Sequence, residues 1–279
     1  QYVPPLDTTN KKDLKIYDIM AHHSGLIGWI PFYRETVSDE RVPRPLDTYY
    51  ATGKNRKYQV PVAEKLFMRT DYVDSIWNKI YTSELRDNNN YRYSDLGFYL
   101  LSKAVQNATG KAINEFVEQE FYAPLGLERT MFNPLEKLPK SEVVPSEFDT
   151  YFRRQKIQGY VHDMGSAMLG GISGHAGLFS NAYELGIIMQ MLLNGGYYGD
   201  QQFLKPETIR LFTQRHPRSS RRGIGFDMKE LNENKRQIVS EKSSDSTFGH
   251  TGFTGTYAFV DPDYNLVFIM LANRTYPSM

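Results

Sequence analysis

The chain has 279 residues, of which 33 are Lys or Arg and 32 are Asp or Glu, and its formal net charge is +1. This balance provides no field of one sign that would attract nucleic acid or an acidic membrane surface. Cysteine is absent, which excludes disulfides and thiolate metal sites but does not decide the compartment. We find no apolar run of about 18 residues and no signal-peptide pattern, so we expect no membrane span.

Apolar residues at helical spacing predict helices along most of the chain. The clearest pattern has Leu96, Leu100, Ala104 and Ala108 four residues apart, and Gly110 is suited to end that helix. The predicted helices cover residues 15–22, 61–68, 72–81, 96–108, 113–121, 185–193 and 206–212. Residues 26–60 and 133–158 lack sustained periodicity and are predicted to be irregular.

Strand patterns are concentrated at the C-terminal end. Residues 257–260 and 266–272 are apolar runs, and Asp261-Pro262 between them is a turn signal that predicts a hairpin. A shorter strand is expected within residues 223–228. Helices first and an antiparallel meander last indicate the α+β class, with the helices at 96–108 and 185–193 packed on the sheet.

Two motifs far apart in the sequence carry the functional signal. Tyr93-Ser94-Asp95 opens the clearest helix, and GHTGFTGT at residues 249–256 leads into a strand. Together they resemble the second and third motifs of the serine β-lactamase and penicillin-binding-protein superfamily. Residues 17–26, 124–127 and 170–184 are also similar to segments of that family.

The resemblance implies a β-lactamase/transpeptidase-like fold. In such a fold a central antiparallel sheet is flanked by helices, and a groove separates the sheet from a mostly helical lobe. We therefore expect one domain over residues 1–279, with the helical lobe at about residues 26–160 and the sheet-rich part at about residues 220–279.

The first motif of the family, S-x-x-K, does not occur in this sequence, since no serine has a lysine three residues on. The nearest approach is Ser219-Ser220-Arg221-Arg222, and an arginine cannot serve as a neutral base. The resemblance implies a nucleophile upstream of Gln1 and a closing helix beyond Met279. We therefore expect this chain to be truncated and inactive alone, and to self-associate through exposed sheet edges.

Two residues are catalytic candidates by resemblance. Tyr93 would carry the proton between nucleophile and leaving group, which requires a lowered phenol pKa. His250 stands where the family often has lysine, and histidine is near half-neutral at physiological pH. The alternatives are a packing tyrosine and a hydrogen-bonded surface histidine.

The remaining candidates would bind substrate. The Phe253 N–H would contribute to an oxyanion hole, and Thr251, Gly252 and Thr254 surround it on the same segment. Asp95 replaces the usual asparagine, and it would touch substrate, cap its helix, or do both.

His175 lies in the Gly-rich loop at residues 170–177, which the resemblance sets near the groove; a solvated loop histidine is the alternative. No metal or other cofactor is expected, because the six histidines are scattered and no H-E-x-x-H motif is present. That loop also does not follow a strand in a βαβ unit, as a phosphate loop would.

Two functional interpretations remain open. The first is a serine hydrolase domain of the class C β-lactamase-like group, which acts on an ester, amide or peptide substrate, for example one derived from the cell wall. The second is a non-catalytic binding or accessory domain of a larger cell-wall or amino-sugar glycoside hydrolase. An upstream S-x-x-K would favour the first. The resemblance favours an extracytoplasmic location for either.

Overall fold

The computed structural model describes residues 2–278, in which helices and antiparallel strands alternate along the chain. The helices are α1 (Ile16–Met20), α2 (Tyr72–Thr82), α3 (Asp95–Thr109), α4 (Ile113–Val117), α5 (Met164–Met168), α6 (Ala182–Leu193) and α7 (Pro206–Phe212). The strands are β1 (Tyr50–Ala51), β2 (Tyr58–Ala63), β3 (Leu66–Arg69), β4 (Pro145–Phe148), β5 (Lys156–Gln158), β6 (Tyr197–Tyr198), β7 (Gln201–Gln202), β8 (Asp227–Met228), β9 (Phe248–Thr251), β10 (Thr256–Asp261) and β11 (Leu266–Leu271).

The largest sheet within residues 2–278 has four strands in the order β11-β10-β9-β8, and each neighbouring pair is antiparallel. The predicted C-terminal hairpin is confirmed, because β10 and β11 pair from Thr256 opposite Leu271 to Asp261 opposite Leu266. A smaller sheet has the order β1-β3-β2. The predicted α+β class is therefore confirmed.

Local signals fix the ends of the predicted helices. α3 ends at Gly110, whose φ of 72° is a left-handed cap. α6 begins at Asn181, whose side chain accepts a hydrogen bond of 2.8 Å from the Glu184 N–H. Pro206 is the first residue of α7, where its missing N–H costs nothing.

Three sequence predictions of secondary structure are wrong, and the first concerns residues 26–60, which were expected to be irregular but contain β1 and the start of β2. Residues 61–68 form no helix but belong to the β2–β3 hairpin, which turns through Lys65 at a φ of 54°. The alternation around Val60 and Val62 was hidden by Pro61, which lies in β2 at a register irregularity. Residues 133–158 also contain a hairpin, β4–β5, with irregular register.

Among residues 2–278 the buried apolar side chains form three separate clusters. α3 buries Leu96 and Leu100 in the larger cluster, together with Val62 and Met68 of the small sheet. α6 instead packs Met189 against the four-stranded sheet. The expectation that α3 packs on that sheet is therefore wrong. The division into lobes at residues 26–160 and 220–279 stays a prediction.

The outer strand β11 exposes alternate apolar side chains. Leu266, Phe268 and Met270 are 51%, 51% and 49% exposed, whereas Val267 and Ile269 face the cluster under α6. Self-association through this strand stays a prediction. No helix within residues 2–278 has both the length and the apolar character that a membrane crossing requires.

Candidate active site

The structure brings the two distant motifs together. Tyr93 lies two residues before α3 and His250 lies in β9, and their ring centroids are 6.2 Å apart. His22 stacks on the other side of Tyr93 with a centroid distance of 4.2 Å. The three rings therefore lie together; that they line a groove, and that Tyr93 and His250 have catalytic roles, stay predictions.

The Tyr93 hydroxyl is not the acidic phenol that the resemblance implies. Desolvation by the surrounding protein and the negative charge of Asp95 raise the pKa of Tyr93 to about 12, against an opposing effect of Arg222. The ring itself is 44% exposed. Tyr93 is therefore protonated at neutral pH, and it can donate a hydrogen bond or a proton into the groove.

His250 is held in one neutral form. Its Nδ1 lies 2.7 Å from the Thr251 carbonyl oxygen, so Nδ1 must donate. Its Nε2 lies 3.1 Å from Arg222 Nη1, and a guanidinium can only donate, so Nε2 must accept. Burial and the charge of Arg222 lower the pKa of His250, which agrees with this assignment.

Arg222 is a site residue that the sequence reading missed. Its side chain is only 1% exposed, and its Nε lies 3.1 Å from Asp227 Oδ1. The guanidinium carbon lies 5.2 Å from the centre of the Tyr93 ring and 5.8 Å from that of Tyr91. The only sequence signal is the pair of arginines just before β8, which we had considered solely as a distant match to S-x-x-K.

The segment after His250 is a tight turn at the end of β9. The Gly252 N–H donates to the Thr256 carbonyl over 2.8 Å, and a β-carbon at Gly252 would lie 2.0 Å from Thr256 Oγ1. Thr251 is exposed and Thr254 half-buried on either side of this turn. Any side chain at this position would therefore require the Thr256 side chain to move.

Phe253 is an exposed aromatic residue of this turn. Its side chain is 60% exposed, and it lies between the His162 ring at 5.5 Å and the Arg274 guanidinium at 4.8 Å. Its N–H donates to no backbone or side-chain acceptor among residues 2–278. An oxyanion donor needs a free backbone N–H, and this role for Phe253 stays a prediction.

Asp95 is the first residue of α3, and Ser94 takes the N-cap position, so the capping alternative for Asp95 is wrong. The Ser94 hydroxyl donates to the Ile27 carbonyl over 2.6 Å. Asp95 instead lines a narrow cleft with Trp29, Tyr99 and other residues. Burial and the charge of Asp163 raise the pKa of Asp95, against an opposing effect of His175.

His175 lies on the Asp95 cleft and not beside His250. Its side chain is 4% exposed, so it is not a solvated loop histidine. Its Nε2 lies 2.8 Å from Asp163 Oδ1, and its Nδ1 lies 2.9 Å from the Ser173 hydroxyl. Burial is the largest single effect and would raise the pKa of Asp163, but the hydrogen bond and charge of His175, together with the Ser166 N–H and Arg153, lower it overall.

The described residues contain no group of three or more His, Asp or Glu side chains arranged to hold a metal ion. The chemistry that the groove itself offers consists of a phenol donor, a free backbone N–H, a neutral imidazole and a buried cation.

The whole chain, residues 1–279, matches the Beta-lactamase family. The chain belongs to this family, and the resemblance drawn from the two motifs is confirmed.

Curated relatives include a "Putative D-alanyl-D-alanine carboxypeptidase" of Escherichia coli K12, which is 34% identical over 203 residues, 68% of this chain and 46% of the relative. A protein of the same name from Salmonella schwarzengrund is 30% identical over 292 residues, 98% of this chain and 62% of the relative. The chain therefore spans roughly half to three fifths of these relatives.

Solved structures with the same fold include a penicillin-binding protein homolog from Caulobacter crescentus. It has a TM-score of 0.61 and 16% identity, and the match covers 97% of this chain and 68% of that one. A D-amino acid amidase from Ochrobactrum anthropi SV3 has a TM-score of 0.55 and 14% identity, over 94% of this chain and 72% of that one. At these identities the two structures support the fold alone.

Proposed function

We propose that this chain is part of a serine hydrolase of the class C β-lactamase-like group, which transfers the acyl group of an ester, amide or peptide. The observation that carries the proposal is the distance of 6.2 Å between the ring centroids of Tyr93 and His250, together with the free N–H of Phe253 in the segment that follows His250. Similar proteins are named as a carboxypeptidase, a carboxylesterase and an amidase, and all three names describe acyl chemistry.

In the proposed reaction a serine supplied by a segment outside this sequence attacks the carbonyl carbon, and its hydroxyl proton passes to the neutral lysine of the same S-x-x-K motif. The Phe253 N–H donates to the oxygen that becomes negative, which stabilises the tetrahedral intermediate. Tyr93 donates a proton to the leaving group, in keeping with a phenol pKa of about 12. Water then attacks the serine ester and gives one proton to the Tyr93 phenolate, while the protonated lysine returns its proton to the departing serine oxygen.

The substrate class follows from the charge at the strand. A neutral His250 offers no fixed cation to a ligand carboxylate, which weakens such contacts by about 1–2 kcal/mol relative to a charged partner. This favours ester, amide or peptide substrates over efficient antibiotic hydrolysis. We extend the proposal to cell-wall-derived substrates and an extracytoplasmic location, in line with the names of the relatives.

Covalent labelling tests the location of the nucleophile. We expect a fluorophosphonate or penicillin probe to leave the intact mass of this chain unchanged, because no serine in it has the lysine partner. A polypeptide that also carries an upstream S-x-x-K should gain one adduct. In that polypeptide Tyr93→Phe should slow turnover by about 10²–10⁴-fold.

Tyr183→Phe is the matched control, because Tyr183 is 78% exposed and should leave the rate unchanged. A stoichiometric adduct on any serine of this chain would show that the nucleophile has been misplaced.

The alternative is a non-catalytic binding or accessory domain of a larger cell-wall or amino-sugar glycoside hydrolase. The absence of S-x-x-K from the sequence is the observation that favours it. A gene with no such motif upstream, together with saturable binding of a cell-wall peptide and no turnover, would support this alternative over the hydrolase.

A further inference from the structure

Arg222 is buried in the groove with more positive than negative charge around it. Both Arg222 and the half-buried Arg221 pair with the single carboxylate of Asp227, at 3.1 and 3.2 Å. A guanidinium at 1% exposure loses most of its hydration, and such a charge is tolerated only where its donors find partners. His250 and the Tyr91 hydroxyl, 3.3 Å from Arg222 Nε, are further partners.

The contact with His250 restricts the chemistry of that ring. Both imidazole nitrogens are engaged, Nδ1 as a donor to Thr251 O and Nε2 as an acceptor from Arg222. A proton added to Nε2 would point at a guanidinium 3.1 Å away, so two positive groups would face each other without an acceptor. His250 therefore cannot exchange protons with a ligand unless the Arg222 contact breaks.

The same cation lies against Tyr93. Its carbon is 5.2 Å from the ring centre, close enough to favour the phenolate over the phenol. The other charged or titratable groups around Arg222 are Asp227 and Arg221 on its own segment, Tyr91, Tyr93 and Asp95 before and in α3, and His22 after α1. Of the charged side chains named here, Arg222 is the one with recorded contacts to both His250 and Tyr93.

We propose that Arg222 is a positioning residue of the active site, which locks His250 as the neutral Nδ1–H tautomer and supplies the fixed positive charge beside Tyr93. This inference rests on the proposed function. His250 then links the Arg222 guanidinium to β9 and keeps it in position. Tyr93, and not His250, transfers the proton. A purely structural Arg222 would hold Asp227 and have no effect on the tautomer of His250.

The test is the tautomer and titration of His250, followed by ¹⁵N NMR of the imidazoles in this chain. In the wild type we expect a protonated Nδ1, a bare Nε2 and a titration midpoint below that of a free histidine. Arg222→Met should raise that midpoint by about one to three pH units, the range of a nearby charge, and should admit the Nε2–H tautomer. Arg222→Lys should restore a low midpoint.

Arg221→Met is the matched control. Arg221 shares Asp227 but makes no contact with His250, so its removal should move the His250 midpoint far less. A wild-type His250 with a protonated Nε2, or equal shifts in the two Met variants, would overturn the inference. The wild-type spectrum alone can do so, even if Arg222→Met fails to fold.

Activity separates this inference from the proposed function. In a polypeptide that carries the nucleophile, Arg222→Met should lower kcat at least tenfold and move the alkaline limb of the pH–rate profile, with KM changed less. If the NMR result is as predicted but no hydrolysis occurs, the proposed function is contradicted, whereas the role of Arg222 in fixing the His250 tautomer is supported. Hydrolysis without the NMR result would contradict the inference alone.

Discussion

At the scale of residues, Tyr93 is set between opposing charges. Desolvation by the surrounding protein raises the pKa of Tyr93 most, the charge of Asp95 raises it further, and the charge of Arg222 lowers it. Asparagine, which the family usually has in place of Asp95, would remove the negative charge and keep a similar shape. The aspartate therefore stabilises the protonated phenol, which is the form that donates to a leaving group.

Asp95→Asn should lower the pKa of Tyr93 from about 12 by about one unit, because a like charge is removed. The measurement is a pH titration followed by ¹³C NMR of labelled tyrosine rings, with the Tyr93 signal assigned by its loss in Tyr93→Phe. Asp245→Asn is a control at an exposed carboxylate and should leave the signal unshifted. An unchanged or higher Tyr93 pKa in Asp95→Asn would contradict this account of the groove.

At the scale of elements, the start of α6 joins two segments of the chain. Glu184 is 7% exposed, and its carboxylate accepts from the N–H of Arg129 at 3.0 Å and the hydroxyl of Thr130 at 2.7 Å. The Asn181–Glu184 pattern predicts a capping box, but only half of it forms, since the glutamate reaches across to residues 128–130. The cap therefore fixes that loop as well as the helix.

Glu184→Ala should lower the free energy of unfolding by more than about 2 kcal/mol, because it leaves buried donors without a charged acceptor. Asn181→Ala removes only the helix cap and should cost about 1 kcal/mol. Urea unfolding of both variants makes the comparison. A smaller loss for Glu184→Ala than for Asn181→Ala would show that the loop contacts contribute little.

The sequence predicted correctly those elements whose interactions are local in sequence, and it missed features whose partners are distant in sequence. α3, α6 and the β10–β11 hairpin follow from periodicity, caps and turn residues within a few positions, and all are predicted correctly. The β2–β3 hairpin was missed because Pro61 masks its alternation. Arg222 was missed because its partners Tyr91 and His250 are distant in sequence, and only the fold brings a surface-type residue to 1% exposure.

At the scale of the whole molecule, the histidines are concentrated in buried places. His22, His23 and His216 are 1%, 2% and 2% exposed, and His23 stacks on His216 at 4.6 Å. Burial is the first cause of the lowered pKa of each of the three. Most of the imidazoles in this protein are thus kept neutral by the fold, which ties stability to pH.

The size of the pH effect on stability can be worked out from two buried histidines, His22 and His162. Burial and neighbouring positive charges lower the pKa of His22 to about 2, and burial and Arg153 lower that of His162 to about 4. An unfolded histidine has a pKa of about 6.5, so below that pH the unfolded chain binds more protons than the folded one. Stability is therefore fully present above about pH 6.5 and falls as the pH decreases.

Between pH 7.5 and 5.5 we expect each of these two histidines to remove about 1.3 kcal/mol from the free energy of unfolding, since a full pH unit below the unfolded pKa is worth about 1.4 kcal/mol. Their sum is roughly 2.6 kcal/mol, and His23, His216 and His250 act in the same direction. Urea unfolding at both pH values measures the loss, and His162→Phe should reduce it by about half of that sum because one titrating ring is gone. The carboxylates with lowered pKa values, such as Asp149 and Asp261, lose their contribution only near pH 4 and below. Equal stability at pH 7.5 and 5.5 would mean that the buried histidines gain protons in the folded state as readily as in the unfolded chain.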